Sequence, residues 1–432
     1  MPPTVQPAVP VPGGLSPPRH HASSDDRRLG RISTALERAW QRGWLSRPVL
    51  EPDAMISVAR KRTGLNVFGD EAGWRERLDC LVHALHGEAR LSPLGTVIAY
   101  GQLVSALADR ARMHALWERH PEILSQPFAA PIIVLGQMRS GSTRMQRLLA
   151  CDPRLTHMRF FESWNPLPLK PRMRRVDDRL LRAWVGLRMA RWLNPQFDTL
   201  HPTGTTQADE EIGLHNISIF GSAFEAQWRI PSFAAACEAM DTRPIYAEFR
   251  RLLQTVAWLR RERTHRPWVL KLPQLTQDLD AVLATFPDAR LVCLDRPASA
   301  LVASSSSLVR NQMQLQSNSV DPGWIGREWL RKVALRQRRT AQARARSEVP
   351  QVDIAFDEIG ADWRAAMTRV YRALDMPLLP DVERRMARYL ADTDQRKLAQ
   401  HRYTLEEFGL SHRDVELVDR PRVAPHGATV LP

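Results

Sequence analysis

A strand pattern that runs through a glycine-containing loop into a helix is the feature that most restricts how this chain folds. The apolar run PIIVL leads into GQMRSGST (136–143), and the helical pattern RMQRLL follows. Gly136 and Gly141 allow the tight turns in which successive backbone N–H groups point at one oxyanion. The N-terminus of the helix adds the positive end of its dipole, and Ser142 and Thr143 add hydroxyl donors. The stretch therefore predicts an anion-binding loop at the end of a strand.

The loop lacks the lysine of nucleotide-binding loops, and this absence indicates which kind of anion it binds. Ser142 stands where the nucleotide-binding loop G-x-x-x-x-G-K-[ST] carries its lysine, and without that lysine a γ-phosphate is left uncompensated. Arg139 can supply a cation from the other side of the loop, with forked donors that suit a phosphate beside a sulfonate. The net charge of +14 also favours an anionic partner. We expect a phosphate-like group that is not itself a transferable γ-phosphate.

Four short apolar or β-branched runs, each followed by a helical pattern, indicate the fold class. They are PIIVL (131–135), WVLK (268–271), RLVCL (290–294) and VDIAF (352–356). Alternation of this kind predicts an α/β fold with a mostly parallel central sheet flanked by helices.

The chain divides into four predicted regions. Residues 1–30 are rich in proline and predict a disordered tail. Residues 31–125 show helical periodicity and predict a helical N-terminal cap that packs on the main domain. The main domain is expected over 126–415, and residues 416–432 form a C-terminal tail.

Several blocks of the chain resemble one enzyme family. PIIVLGQMRSGSTRMQRLLACDP is similar to the 5′-phosphosulfate loop of sulfotransferases that use 3′-phosphoadenosine-5′-phosphosulfate (PAPS), above all the bacterial family whose loop reads Arg followed by [ST]-G-[ST]-T. Further blocks follow in that family's order and spacing: RTGLNVFGD (62–70), EARLSPLG (88–95), HPTGTTQADEEIGL (201–214), FEAQWRIPSF (224–233), PWVLKLP (267–273), TFPDARLVCLDRP (285–297) and HRYTLEEFGL (401–410). The resemblance implies a P-loop-NTPase-like sulfotransferase fold, PAPS as co-substrate, adenosine 3′,5′-bisphosphate as product and no metal.

The resemblance also implies which residues hold the donor. The 5′-phosphosulfate would lie on the loop residues Arg139, Ser140, Gly141, Ser142 and Thr143. Arg296 and Ser304 match a 3′-phosphate-binding pair on a later strand–helix unit. Two departures leave this match open: the family reads His-Arg-Asp-Pro where this chain has Asp295, Arg296 and Pro297, and the serines run from 304 to 307. LVCLD also resembles the strand and Asp that bind magnesium in nucleotide hydrolases.

Sulfuryl transfer needs a base for the acceptor hydroxyl and a cation for the leaving oxygen. The resemblance places Glu210 and Asp209 on the family's acidic pair, with Glu210 as the expected base. Arg139 and Lys271, the lysine of a K-x-P block, are expected to neutralise the leaving group. The family often has a histidine where this chain has Leu275, so His201 and His215 stay open as alternative bases.

Two basic amphipathic helices are predicted over 172–193 and 326–348. A membrane-surface or nucleic-acid role is one interpretation, and a solvated helix face anchored in the core is the other. The expected anchors are Trp184, Trp192, Trp329, Leu330 and Val333. The aromatic residues Phe220, Phe224, Trp228 and Phe233 add a hint of a hydrophobic or lipid-like acceptor. KLAQHRYTLEEFGL (397–410) is expected to close over the nucleotide through Lys397, His401, Arg402 and Tyr403.

The leading hypothesis is a cytoplasmic PAPS-dependent sulfotransferase that acts on a small-molecule or lipid-like hydroxyl. Four cysteines without C-x-x-C spacing fit a reduced compartment, and no stretch is apolar enough for a membrane span. Three alternatives remain: a P-loop nucleotide kinase or hydrolase, a basic nucleic-acid-binding protein, and a degenerate relative that binds PAPS without transfer. No nucleic acid partner is expected under the leading hypothesis, and the oligomeric state is undetermined.

Overall fold

The computed structural model describes residues 24–69, 73–169, 177–262, 266–394 and 403–419. Its strands are β1 (Ile132–Leu135), β2 (Thr156–His157), β3 (Trp268–Leu270), β4 (Arg290–Asp295) and β5 (Gln351–Ala355). Its helices are α1 (Ser24–Gln41), α2 (Pro52–Thr63), α3 (Trp74–Gly87), α4 (Pro93–Arg119), α5 (Ser142–Leu149), α6 (Phe160–Trp164), α7 (Asp178–Leu193), α8 (Phe197–Leu200), α9 (Ile212–Ile217), α10 (Ser222–Gln227), α11 (Pro231–Ala239), α12 (Arg243–Leu259), α13 (Leu279–Thr285), α14 (Ala298–Gln316), α15 (Pro322–Ala345), α16 (Glu358–Ala361), α17 (Trp363–Ala373), α18 (Pro380–Asp394) and α19 (His412–Asp419). In these ranges, no helix combines the length and apolar character needed to cross a membrane.

The five strands form one parallel sheet in the order β2-β3-β1-β4-β5. All four residues of β1 are buried, which explains why its sequence is continuously apolar rather than alternating. The predicted parallel α/β fold is confirmed, with its four predicted strands within two residues of the observed ends. β2 was not predicted, because two residues that pair only with β3 carry no periodic signal.

The helices of the predicted cap share a core with the sheet domain. α2, α3 and α4 pack against a segment between residues 219 and 245, and Arg110 of α4 forms a fully buried ion pair with Glu248 of α12 at 2.8 Å. Phe220, Phe224, Trp228 and Phe233 belong to this core, so these aromatic side chains are structural rather than acceptor-lining.

Two predicted boundaries differ from the structure. α1 begins at Ser24, so the last residues of the tail expected over 1–30 are helical. α19 crosses the boundary expected at residue 416, because Val415 is buried against α14 and α15. Residues 1–23 and 420–432 lie outside the described residues.

Gly95 permits close contact between α4 and the end of α14, and it offers a test of that packing. A Cβ at position 95 would overlap the backbone carbonyl oxygen of Gln316. We expect Gly95→Ala to lower the free energy of unfolding by about 1 to 3 kcal/mol through overpacking. Gly101 lies in the same helix with open space around it, so Gly101→Ala should be neutral or stabilising by up to about 1 kcal/mol. Urea unfolding of both variants measures the difference; equal effects would contradict the close contact.

The two basic helices are oriented differently from each other. In α15, Trp329 and Val333 are buried as predicted and Leu330 is partly buried. In α7, the prediction of core anchors was wrong, since Trp184 and Trp192 are 53% and 57% exposed. The inner face of α7 is lined by small or aliphatic residues instead, namely Ala183 and Leu187. Residues 172–176 of the predicted helix lie outside the described residues.

Candidate active site

The loop between β1 and α5 has the backbone geometry of an anion cradle. Arg139 has φ 71° and Gly141 has φ 86°, so two left-handed residues flank Ser140. A Cβ at Gly136 would collide with the Ser140 hydroxyl, which folds back over the strand end. α5 begins at Ser142, and the first N–H groups of a helix have no intrahelical partner. The left-handed Arg139, which is unfavourable for a non-glycine residue, is the local strain expected at a functional loop.

Two buried hydroxyls near this loop have no hydrogen-bond partner among the described residues. They belong to Ser140 in the loop and Ser306 on α14. Ser140 is almost fully buried, and Ser142 beside it is buried as well. Buried polar atoms are nearly always satisfied in a complete site. The Ser140 hydroxyl is therefore a donor available to a ligand.

The Arg139 side chain crosses to α14 and to the last residue of α8. Its Nε donates to Ser304 Oγ at 2.9 Å, and its Nη1 donates to the Leu200 carbonyl at 2.9 Å. Burial lowers the pKa of Arg139, the Tyr403 hydroxyl beside it raises that pKa, and the charge of Arg296 lowers it further. The guanidinium is thus partly desolvated and close to a second cation.

Arg296 lies against the same loop. Its Nη1 donates to the backbone carbonyl of Arg139, and its guanidinium stacks over the Phe356 ring at 4.0 Å from the centroid. Phe356 also packs against Gly141, because a Cβ at that glycine would lie 3.1 Å from the ring. The ring therefore fixes the distance between the loop and the Arg296 guanidinium.

The loop, Arg139, Arg296 and Ser304 are thus brought together in one place. In the part of the chain that the structure describes, neither arginine has a carboxylate within 4 Å. Two partly buried cations that repel each other and lack a counter-charge are destabilising unless an anion binds between or beside them. The arrangement is chemically suited to a doubly anionic ligand.

The structure shows which serine of the run on α14 makes which contact with the loop. Ser304 accepts from Arg139, and Ser305 donates to the Met138 carbonyl at 3.2 Å. Both are buried, and Ser306 is the third buried serine. Ser304 is therefore the serine of the run that contacts Arg139.

A second polar cluster lies at the end of β3, the strand next to β1. Lys271 Nζ forms an ion pair with Glu210, and the Lys271 side chain is buried while that of Glu210 is slightly exposed. The segment that carries Glu210 is attached to α5: Gln146 donates to the Asp209 carbonyl at 3.0 Å, and Arg147 donates to the Ala208 carbonyl at 3.2 Å. The acidic segment is thereby held against the helix that follows the anion loop.

Asp209 is engaged by donors on several sides. It accepts from Thr203 Oγ1, from His201 Nε2 at 3.2 Å and from the Glu210 N–H at 2.8 Å. Burial alone would raise the pKa of Asp209, but His201, Lys271 and Thr203 outweigh it and hold that pKa well below its usual range. Burial alone would lower the pKa of His201, but the Asp209 carboxylate raises it. Asp209 is a poor base in this setting, and His201 favours its protonated form.

Glu211 was not singled out in the sequence, although it adjoins the acidic pair. It is fully buried and accepts from the Lys271 N–H at 2.9 Å. Burial raises the pKa of Glu211 well above 4.5, while the Lys271 N–H opposes that rise. The Glu211 carboxyl therefore positions the backbone of Lys271, just past the end of β3.

This burial predicts a pH-dependent stability difference for Glu211→Gln. The folded state keeps the Glu211 proton above pH 4.5, where the unfolded state releases it. The stability that the buried Glu211 carboxyl contributes to the folded chain is fully present below pH 4.5 and is lost as pH rises. The wild-type chain should lose about 1.4 kcal/mol of unfolding free energy per pH unit relative to the variant until the raised pKa is reached. Denaturant unfolding between pH 4 and 8 measures it; a constant difference would contradict a neutral Glu211.

Two further residues are structural: His215, an alternative base, and Leu275, which stands where the family often has a histidine. His215 is buried among Phe220, Tyr246 and Phe249, and burial lowers its pKa to about 3. Leu275 is fully buried in the core beneath the sheet. Neither offers a proton-accepting atom to the loop, which leaves Glu210 as the expected base.

The segment expected to close over the nucleotide is described from Tyr403 onward. Leu405 and Phe408 are buried against α14 and α15, and Tyr403 lies beside Arg139. This part of the segment does reach the loop. Lys397, His401 and Arg402 lie outside the described residues.

The alternative interpretation assigned a magnesium ion to Asp295. Asp295 is exposed at the end of β4. Across the described ranges, no three His, Cys, Asp or Glu side chains are grouped so that they could hold a metal ion.

Phe356, like Glu211, is a residue of this site that the sequence interpretation missed. It directly follows β5, which pairs with the strand that ends at Asp295. An aromatic residue at the carboxyl end of a strand beside the one leading to Arg296 is the signal that points to it, since parallel strand ends meet at one edge of the sheet.

Comparison with known proteins agrees with this architecture. The model of the Sulfotransferase family matches residues 131–381, more than half of the chain. Sulfotransferase STF1 from Mycobacterium tuberculosis is 28% identical, with a TM-score of 0.72, and the match covers 86% of this chain and 98% of STF1. Sulfotransferase STF9 from Mycobacterium avium is 26% identical, with a TM-score of 0.76, and the match covers 86% of this chain and 95% of STF9. The chain has no significant match among curated proteins. With a parallel sheet, an anion loop without the nucleotide-hydrolase lysine and these similarities, the chain belongs to the sulfotransferase family.

Proposed function

We propose that the chain transfers the sulfuryl group of PAPS to a hydroxyl acceptor and releases adenosine 3′,5′-bisphosphate. The observation that carries the donor assignment is a pair of guanidiniums, Arg139 and Arg296, beside the Ser140 hydroxyl. Among the described residues, neither guanidinium has a carboxylate partner and the hydroxyl has no hydrogen-bond partner. PAPS carries anionic groups at both its 5′ and its 3′ positions, so it matches two adjoining cationic sites.

The 5′-phosphosulfate is assigned to the loop over residues 139–143. Its oxygens would accept from the N–H groups at the start of α5 and from the hydroxyls of Ser140, Ser142 and Thr143. The 3′-phosphate is assigned to Arg296 and Ser304, with Arg139 between the two groups because it already contacts Ser304.

In the transfer step, the acceptor oxygen attacks sulfur in line with the leaving 5′-phosphate. An O–S bond forms, the S–O bond to the phosphate breaks, and the acceptor proton passes to Glu210. Lys271 now pairs with Glu210; donor binding would draw the ammonium toward the bridging oxygen, which gains negative charge as the bond breaks. That exchange of partners would free Glu210 to accept the proton.

Thermal melting with three nucleotides tests the donor assignment. We expect adenosine 3′,5′-bisphosphate to stabilise the chain by about 2.7 kcal/mol at 100 times its Kd, and AMP or magnesium-ATP to do much less at that concentration. Equal shifts for all three ligands would favour a nucleotide kinase or hydrolase, and no shift would remove the donor assignment.

PAPS turnover against a panel of aryl and alkyl alcohols then tests transfer itself. Bisphosphate binding together with alcohol-dependent release of bisphosphate from PAPS is the expected result. Binding without turnover on any alcohol would favour the degenerate PAPS-binding alternative.

A further inference from the structure

α7 presents an apolar face to solvent. Five large apolar side chains recur at spacings of three and four residues, which places them on one side of the helix. They are 45% to 58% exposed: Leu181, Trp184, Val185, Met189 and Trp192. We call these five residues the α7 outer face. A helix that is apolar on both its inner and its outer side normally has a partner on each.

Polar residues of α7 attach it to the protein in addition to the buried Ala183 and Leu187. Arg182 donates to Asp178, Asn165 Oδ1 and the Leu167 carbonyl, with distances of 2.5 to 3.0 Å. Arg191 donates to Asp198 and, at 2.9 Å, to the Thr203 carbonyl. These bonds hold the helix so that the α7 outer face points away from the body of the protein.

Positive charge lies beside the α7 outer face at two arginines, one from α7 and one from α1. Three of the four arginines of α7 form ion pairs with aspartates, which leaves Arg188 as the arginine of this helix without an acidic partner among the described residues. Arg188 is exposed and stacks over Trp184 at 5.5 Å from the ring centroid, and Arg28 of α1 stacks over Trp192 at 5.5 Å. Guanidiniums beside exposed tryptophans suit the boundary between lipid headgroups and acyl chains, where tryptophan is favoured and cations meet anionic headgroups.

We propose that the α7 outer face docks on an anionic lipid surface, with its tryptophans at headgroup level and its axis parallel to the surface. A helix of this length with four arginines is suited to lie on a bilayer, not to span it. The positive charge selects an anionic lipid surface over an apolar patch on another copy of this basic chain, whose like charge would oppose association.

If the proposed function holds, docking of α7 also indicates which class of acceptor the transfer site meets. Leu200, whose carbonyl accepts from Arg139, follows Trp192 by eight positions, so the two lie within about 28 Å by chain reach. Arg191 also donates to the carbonyl of Thr203, in the segment between α8 and the acidic residues. A docked α7 therefore holds the transfer site near the headgroups, where a lipid-borne hydroxyl is the accessible acceptor.

Vesicle co-sedimentation without nucleotide tests docking independently of transfer. The wild-type chain is expected to bind phosphatidylcholine vesicles containing phosphatidylglycerol, and to bind pure phosphatidylcholine vesicles much more weakly. Binding to the mixed vesicles should weaken with salt. The triple variant Trp184→Ser/Met189→Ser/Trp192→Ser should lower the partition coefficient at least about a hundredfold. Its exposed positions predict an unchanged melting temperature.

Trp44→Ser is the matched control, since Trp44 is an exposed tryptophan in the turn after α1. It should keep wild-type binding. The proposal is overturned if the wild-type chain ignores anionic vesicles or if the triple variant binds as well as the wild type. It is also overturned if sedimentation velocity shows a wild-type dimer that the triple variant loses while neither binds lipid, because the occupant would then be a second copy. Vesicle binding without PAPS turnover would retain docking and remove only the proposed function.

Discussion

Replacing Glu210 with glutamine should lower kcat for sulfuryl transfer by about 10² to 10⁴, the usual contribution of a positioned base. The amide keeps the size of the side chain and a hydrogen-bond acceptor for Lys271, but it cannot take the acceptor proton. The Kd of adenosine 3′,5′-bisphosphate should stay close to the wild-type value, because Glu210 contacts Lys271 rather than the arginine pair. Turnover of PAPS with the alcohol that the wild-type chain sulfates fastest measures kcat.

Two variants separate the base from its neighbours. Glu211→Gln keeps a neutral, hydrogen-bonding group at a position whose pKa is already raised well above 4.5, so it should retain most of kcat. Asp209→Asn disturbs the His201 and Thr203 contacts and should lower kcat less than Glu210→Gln does. A Glu210→Gln chain with wild-type kcat, or a larger loss at Asp209, would assign the base elsewhere.

Replacing Arg139 with alanine should weaken adenosine 3′,5′-bisphosphate binding by about a hundredfold without lowering the stability of the free protein. Charge-assisted hydrogen bonds to phosphate are worth about 1.5 to 3 kcal/mol each. In the free protein, Arg139 is partly buried, repelled by Arg296 and without a carboxylate partner among the described residues. Loss of its bonds to Ser304 and Leu200 is therefore offset by relief of that repulsion.

Calorimetric titration and urea unfolding of the Arg139→Ala chain measure both effects. Arg139→Lys keeps the charge but loses the forked geometry, so it should recover only part of the affinity. An alanine variant that is strongly destabilised while still binding the bisphosphate tightly would show that Arg139 is a structural residue.

The fold was largely predictable because its signals are local. The continuous apolar runs at 131–135 and 290–294 are long enough to indicate buried parallel strands, and the glycines of the loop indicate a turn that other residues disfavour. The order of the strands and the position of β2 depend on pairing between distant segments, which no periodicity encodes.

The orientation of α7 was not predictable from periodicity. The helix carries apolar residues on two opposite sides, and a periodic pattern does not state which side meets the core. Large tryptophans favoured an inward interpretation, whereas the close packing of α7 selects Ala183 and Leu187 for the inner side. The stacking of Arg296 on Phe356 was not predicted either, because it depends on β4 and β5 lying side by side in the sheet.

The most direct test of the two-site donor assignment measures how one substitution changes the affinity for two ligands that differ by the 3′-phosphate. Calorimetry gives the affinities of the wild-type and Arg296→Ala chains for adenosine 3′,5′-bisphosphate and for AMP. Arg42→Ala is the control, because Arg42 also stacks on an exposed aromatic ring, Trp44. Arg296→Ala should weaken bisphosphate binding about tenfold to a hundredfold and leave AMP binding nearly unchanged. Equal weakening of both ligands would contradict a 3′-phosphate site at Arg296.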